Sequence, residues 1–343
     1  MPLSTNNSIP LIRLAHPLAF AAFLKHVGAP VESYFRRQGL PTLCTDPSAF
    51  VTLDKAWGLF GDIAQREDQE VGWHVGWYIG DNNLNTSLLL KLEAAPTLYQ
   101  ALHLMARLIN TESSHLCLGI KEEDHRILFY NAGHTKLKDE SGYSSSQAYQ
   151  LEAYVDLIRH FIGKHWIPKE IGVTAATLPA VAKEHFPGCR FLLNQQYSYV
   201  AVPRSCLHLS MHTRHIVKSK AAPMILTDQL SFDESLSLLL KPYLVEGYPS
   251  LEFVASLTGI SIRTLARRLS ECGKNYQSLV DEVRFDMARD LLRDKNTPIR
   301  VVAESTGFSD PANFSRMFRR IGGLSPRAFR KAVQSRSCLQ QFD

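Results

Sequence analysis

Long apolar runs, paired cysteines and glycine-rich loops are what this chain lacks. Nowhere do about 18 uninterrupted apolar residues occur, so no membrane-spanning helix is expected. The apolar stretch near the start, "LAHPLAFAAFL" at 14–24, is broken by His16 and Pro17. It has no preceding Lys/Arg cluster and no convincing cleavage site, which argues against a secretory leader. The six cysteines (Cys44, Cys117, Cys189, Cys206, Cys272 and Cys338) form no C-x-x-C pair and no close Cys/His spacing. Neither a zinc site nor a disulfide framework is suggested, which suits a reducing cytoplasm. His74, His103, His115, His125 and His134 likewise show no metal spacing and are expected to be structural.

Enzymatic signatures are missing too. There is no Ser/His/Asp set, no phosphate-cradling loop and no paired-carboxylate motif. One thiol, Cys189 in "FPGCRF", has a cation beside it, Arg190, that could lower its pKa, but the surrounding pattern matches no acceptor cysteine. No catalytic residue, cofactor or metal is therefore expected.

What is present is a lopsided charge. In 343 residues, 45% apolar and 21% charged, the length allows two domains. Residues 250–343 hold 16 Lys and Arg against 10 Asp and Glu, a net of +6, while the rest holds 22 against 23, a net of −1. A basic module joined to a near-neutral one points to a polyanion, nucleic acid before membrane, because no basic stretch carries aromatics on its opposite face.

Hydrophobic spacing predicts helices at 17–40, 52–67, 96–110 and 147–164, with a β-hairpin around "KEED" within 113–133. Strand-like pieces at 170–175, 190–193 and 197–202 follow, with a helix, "LPAVAKEHF", between the first two. Together they describe an α+β domain over 1–210, although its strand order cannot be read from one sequence. Its "GWHVGWYIG" at 72–80 suits either the wall of a ligand pocket or core packing. A connector at 211–247 is expected to be helical at 212–220 and 231–245, interrupted by Pro223 and Pro242. Its "LSFDESLSLLL" could pack on its own domain or form a dimer.

Residues 248–343 read as all-helical. "PSLEFVASLTGISIRTLARRLSECG" offers Ser250 as a cap, Leu251, Val254, Ala255 and Leu257 on one face, and Gly259 for a tight turn. Ser261 caps a second helix in which Ile262, Leu265 and Leu269 are expected to face inward, with Arg263 and Arg267 on the wet side. This is a helix-turn-helix pattern, at about 250–272. A second copy, "TPIRVVAESTGFSDPANFSRMFRRIGG" at about 297–321, has Thr297 as cap, Pro298 at the first helical position and Gly307 at the turn. Ser309 or Asp310 caps its second helix, with Pro311, Phe314 and Phe318 inward and Ala312, Asn313, Arg316 and Arg320 outward.

The DNA major groove admits one α-helix, and a guanine edge there offers two acceptors that an Arg fork can meet together. Arg263, Arg267 and Arg316 are candidates for that contact, and Asn313 suits adenine. Ser261, Arg268, Ser315, Arg319 and Arg320 are assigned to phosphates. Between the copies a helix of about 20 residues, roughly 30 Å, could set the reading helices one turn of DNA, about 34 Å, apart. In that helix Arg284 and Asp286 are expected to be ion-pair partners within the domain.

These stretches resemble the DNA-binding domain of the AraC/XylS transcription regulators. The resemblance covers 249–331 and rests on "VASLTGISIRTLARRL", "RFDMARDLL", "IRVVAESTGFSDPANFSRMFRR" and "GLSPRAFR". It implies base readers at Arg263, Ala266 and Arg267 and at Ala312, Asn313 and Arg316, with Ala266 limited to apolar contact where the family often has a longer polar residue. Residues 1–205 resemble, more loosely, the arabinose-binding-like domain of one branch, in "FAAFLKHVGAPVESYFRRQGLPTLCTDPSAFVTLDKAWGLF" and "VPRSCLHLSM". That implies an α+β domain that senses a small-molecule effector and dimerises, joined to an all-α domain with two helix-turn-helix motifs. The expected partners are double-stranded promoter DNA, an effector, RNA polymerase and a second copy of the chain, with activation as the more frequent outcome. The alternative is a constitutive DNA-binding regulator whose amino-terminal domain only dimerises or meets a protein partner.

Overall fold

The computed structural model describes residues 8–81, 91–92, 95–114, 116–133, 142–211, 225 and 227–339. The first elements are β1 (Leu11–Arg13), α1 (Ala15–His26), α2 (Val31–Gln38), β2 (Phe50–Thr52), α3 (Leu53–Arg66), α4 (Val71–Asp81) and α5 (Leu98–Leu108). Next come β3 (Leu118–Glu122), β4 (Arg126–Asn131), α6 (Tyr143–Ile162), β5 (Glu170–Gly172), α7 (Ala180–His185), β6 (Arg190–Leu192) and β7 (Ser198–Pro203). The remaining helices are α8 (Phe232–Leu244), α9 (Leu251–Thr258), α10 (Ile262–Glu271), α11 (Tyr276–Leu291), α12 (Ile299–Ser305), α13 (Pro311–Gly322) and α14 (Pro326–Leu339). None of the described helices is long and apolar enough to cross a membrane.

Two compact units result. Pro10–Leu40 with Leu53–Gln229 form one, and Met1–Ile9, Pro41–Thr52 and Leu230–Asp343 the other. The units are discontinuous in sequence, in contrast to the expected contiguous cuts at 210 and 247. Pro41–Thr52 groups with the carboxy-terminal helices, and so does α8.

In the first unit a five-stranded sheet runs in the order β3-β4-β7-β5-β6, antiparallel except for the β5–β6 pair. Alternation along the strands gives it two apolar faces. Ile127, Phe129, Ile171, Val200 and Val202 are fully buried in the main core, with Leu102 of α5 and Val155 and Ile158 of α6. Leu128, Tyr199 and Ala201 form a smaller cluster with Tyr130. The hairpin appears where expected, turning at Glu123–His125. The single helix expected at 17–40 is instead two, because Gly28 takes a left-handed conformation (φ 79°) and Pro30 restarts the chain as the cap of α2. Thr97 rather than Pro96 opens α5, accepting a hydrogen bond from the Gln100 amide (3.4 Å).

The stretch "GWHVGWYIG" is helical, and its glycines face α6. A Cβ on Gly72 would lie 2.2 Å from the Ser145 carbonyl oxygen, and one on Gly76 would lie 2.4 Å from Glu152 Cβ. Each glycine costs the helix about 1 kcal/mol relative to alanine, and the close approach of α4 to α6 is what that cost permits. Trp73 is buried in the core, whereas Trp77 is 42% exposed. Two short strands, β1 and β2, were not anticipated, and β1 carries Arg13, 1% exposed, which donates to the Thr111 carbonyl (2.7 Å) and pairs with buried Glu112 (3.4 Å).

In the second unit α8 is capped reciprocally by Ser231 and Glu234. Pro242, expected to break this helix, lies inside its last turn. Leu236, Leu239, Leu240 and Leu244 are buried within the unit, so the leucine-rich stretch packs on its own domain. Ile9 and the 41–52 segment lean on the same helix. The Ile9 amide donates to Ser235 Oγ (3.1 Å), and the Thr42 and Leu43 amides both donate to Glu246 Oε1 just beyond the helix (2.5 and 2.8 Å).

Replacing Gly72 by Ala should destabilise the sheet-containing unit by about 1–3 kcal/mol, despite alanine's higher helix propensity, because a backbone oxygen blocks the new methyl. Urea denaturation of the full chain measures this, and a stabilised variant would contradict the packing.

Candidate nucleic-acid interface

Two helix-turn-helix units stand out from the chain's carboxy-terminal helices. In the first, Ser250 caps α9 by accepting from the Phe253 amide (3.2 Å), and the helix ends at Gly259 in the left-handed conformation (φ 65°). Ser261 then caps α10 through the Thr264 amide (3.3 Å). In the second, α12 ends before Gly307 (φ 75°), and Asp310 caps α13 by accepting from the Ala312 and Asn313 amides (2.9 and 3.3 Å), with Pro311 in the first turn.

Two details differ from the sequence expectation. Pro298, not Thr297, is the cap position of α12, and the Thr297 hydroxyl instead bonds the Asp294 carboxylate (2.5 Å). Ile262 is 41% exposed and Pro311 is also exposed, whereas Leu265, Leu269, Phe314 and Phe318 are fully buried and Met317 nearly so. A first-turn side chain leans back toward the helix start, past the core that the later turns pack against.

The linker helix α11 spans 16 residues, about 24 Å at 1.5 Å per residue, shorter than the 20 expected. It is tied to the second motif, and Tyr276 at its start donates to the Pro249 carbonyl just before α9 (2.6 Å). Arg284 is buried, donating to the Gly307 carbonyl (2.9 Å) with its guanidinium 4.3 Å from the Phe308 ring and 5.2 Å from that of Tyr248. Asp286, the expected partner of Arg284, pairs instead with Arg289 (2.9 Å). Asp281, also buried, accepts from Arg320 of α13 (2.5 Å). Lys274, just before α11, bridges Asp233 of α8 (2.9 Å) and Glu282 (2.8 Å), and these two carboxylates push its pKa above the usual lysine value. Asp281 and Arg284 carried no local signal, because their role depends on which turn and helix fold against them.

Against this frame the expected DNA contacts separate. Arg263, Ala266 and Arg267 on α10 are exposed together, as are Ala312, Asn313 and Arg316 on α13. Arg267 pairs with Glu271 one turn on (2.5 Å), and Arg316 donates to Asn313 Oδ1. An exposed i, i+4 pair is worth about 0.3–0.5 kcal/mol, less than the roughly 1–3 kcal/mol of a good bidentate base contact, so such tethers can be exchanged for a base edge. Arg319 is exposed, and Ser315 is half-buried. Arg268 is half-buried, its guanidinium 5.3 Å from the Phe232 ring of α8, and Arg320 is tied to Asp281. Ser261 Oγ is engaged in its own cap.

A helix-turn-helix domain model matches residues 254–332. The same region is 38% identical over 85 residues to the ornithine utilization regulator of Pseudomonas aeruginosa, covering 25% of each chain. It is 35% identical over 87 residues to the regulator VqsM of that organism, covering 25% of this chain and 27% of that one. With the activator RhaS of Escherichia fergusonii it shares 39% over 83 residues, 24% of this chain and 30% of that one. The carboxy-terminal helices form an AraC/XylS-type DNA-binding domain. The chain thus spans between a quarter and a third of the length of these curated relatives. These relatives are regulators by name, and the faces of α10 and α13 that carry the expected readers are exposed.

Outside that domain, the thiol of Cys189 is pushed up to about 11, chiefly by burial, so it lacks the character of an activated nucleophile despite Arg190 beside it. His74 pairs with Asp68 (3.0 Å) and His103 packs on Tyr99 (4.4 Å between rings), while His115 and His134 lie outside the described residues. Among the described residues no group of three or more His, Cys, Asp or Glu could hold a metal. The sheet-containing unit does hold a cavity of about 1280 Å³, lined by polar and apolar side chains that include Trp73, Tyr143, Leu151 and Thr174.

The two turn glycines make a comparison possible. Gly307→Ala should cost well over 2 kcal/mol, because the left-handed strain is joined by a Cβ 2.2 Å from the Leu244 carbonyl oxygen. Gly259→Ala, strained alike but with nothing within 4 Å, should cost about 1–2 kcal/mol. Equal losses on thermal denaturation would contradict the tight seating of the second turn.

Proposed function

We propose that the chain is a transcription regulator that binds a promoter through both helix-turn-helix motifs. In this reading the sheet-containing unit senses a small molecule and dimerises in the cytoplasm, and DNA-bound dimers assist RNA polymerase as activators. The observation that carries DNA binding is the repetition of an exposed face, Arg263 to Arg267 and Asn313 to Arg316, on two helix-turn-helix motifs, the second of them tied to the linker helix by Arg284 and Arg320. Arg263 and Arg267, with Asn313 and Arg316, are proposed as base readers, Ala266 and Ala312 as apolar neighbours in the groove, and Arg319 as the freest phosphate contact. Ser261, Ser315, Arg268 and Arg320 complete the phosphate set, each from a position that also serves the fold.

The cavity supports sensing over the constitutive alternative, since a unit that only dimerises has no need of a mixed polar and apolar hollow. Activation is favoured by RhaS, a relative named as a transcriptional activator.

Replacing Arg267 or Arg316 by Ala should weaken binding to a selected operator by about 1–3 kcal/mol and relax preference at one base position. Selection from a randomised duplex library followed by fluorescence anisotropy reads this, and unchanged preference would remove those residues from base reading. Arg319→Ala should instead weaken all sequences alike and lower the slope of log K against log salt by about one. A sequence-selective loss from that variant would reverse its assignment.

A further inference from the structure

We infer that the cavity of the sheet-containing unit takes a small aliphatic amine, its ammonium facing Glu70, Glu67 and Asp68 and its remaining polar groups met by Gln147 and Ser198. This deepens the sensing reading above and rests on it.

The lining has one sign of charge. Three carboxylates, Glu67, Asp68 and Glu70, stand within four residues of the α3–α4 connection, and the described lining contains neither Lys nor Arg. Two of the three already have partners: Glu67 accepts from the Tyr34 hydroxyl, and Asp68 meets His74 at 3.0 Å. The Glu70 carboxylate has no partner of its own among the described residues. An anionic ligand would enter against like charge with no cation to receive it, whereas an ammonium group supplies the missing counter-charge.

The second observation is independent of the acids. Gln147 of α6 is 8% exposed and Ser198 of β7 is 2% exposed, both line the cavity, and neither side chain makes a hydrogen bond among the described residues. Their polar atoms are not sealed away from water, so the amide and the hydroxyl are open to bond a ligand, or a water it displaces, in the hollow. The amide both donates and accepts, which suits an amino or hydroxyl group. Trp73 and Leu151 supply apolar walls for a short methylene chain. Carboxylates on the more exposed connection and neutral polar groups in the buried part together describe a molecule with a cationic end and a short, partly polar body.

The full chain would be titrated by calorimetry with three matched sets of probes of three to six carbons: α,ω-diamines, diols and dicarboxylates. A diamine should bind at least tenfold more tightly than the diol of equal length, dicarboxylates should not bind, and affinity should fall with salt. Glu70→Gln, which keeps the shape of the side chain, should remove at least tenfold from diamine affinity, and Gln147→Leu should weaken diamine and diol alike. Unchanged far-UV circular dichroism and operator affinity in both variants would show that they fold.

Diols or dicarboxylates binding as well as diamines, or a Glu70→Gln variant that binds diamines normally, would overturn the amine assignment. If Gln147→Leu still abolished that binding, the cavity would remain a sensing site of another class. Binding by none of the sets would overturn the assignment too. Tight, Glu70-dependent diamine binding that leaves operator affinity unchanged would uphold the amine site and sink the sensing reading instead.

Discussion

Arg284 is buried in the linker helix, and the seating of the second helix-turn-helix motif against that helix depends on how it is satisfied. Its guanidinium reaches the carbonyl of Gly307 and lies over Phe308, so the turn of the second motif is what lets the charge stay there. A buried charge without such partners would cost several kcal/mol, which makes the contact a constraint on geometry as much as a source of stability. Asp281, one turn earlier on the same helix, catches Arg320 of the second reading helix. Gly307 closes the arrangement, since only a residue without Cβ fits against the Leu244 carbonyl at its backbone angles. The reading faces are registered by polar groups hidden beneath them.

This changes how the positive excess of the carboxy-terminal module should be understood. Counted in sequence, its arginines look alike. In the fold, Arg284 is structural, Arg320 is a tether to Asp281, and Arg268 lies over an aromatic ring of α8. Arg263, Arg267, Arg316 and Arg319 remain on open faces, two of them held only by exposed neighbours that contribute little. In the proposed reading, net charge would draw in the duplex at a distance, and these fewer residues would touch it.

The sheet-containing unit follows a different economy. Its α4 and α6 approach so closely that three glycines on α4, at 72, 76 and 80, turn toward α6, and Trp73, on the same helix, lies both in the core and along the cavity. The two sequence readings of "GWHVGWYIG", pocket wall and core, are therefore compatible. A helix that gives up propensity for close packing can bring a large aromatic ring to the edge of a hollow that a looser pair would leave unwalled.

The sequence alone determined the local chemistry. Caps at Ser250 and Ser261, the cap at Ser309 or Asp310, turn glycines at 259 and 307, the hairpin at 118–131 and the outward set of Arg263, Arg267, Asn313 and Arg316 were legible because each depends on neighbours within a turn or two. Only the tertiary structure decided the rest. The break at Gly28 and Pro30, the exposure of Ile262 and Pro311, the inclusion of Pro41–Thr52 with the carboxy-terminal helices, the sheet order and the fate of Arg268, Arg284 and Arg320 all rest on partners distant in sequence. Capping and helical periodicity act over a few residues, whereas desolvating a charge or crowding a glycine depends on whatever the folded chain brings against it.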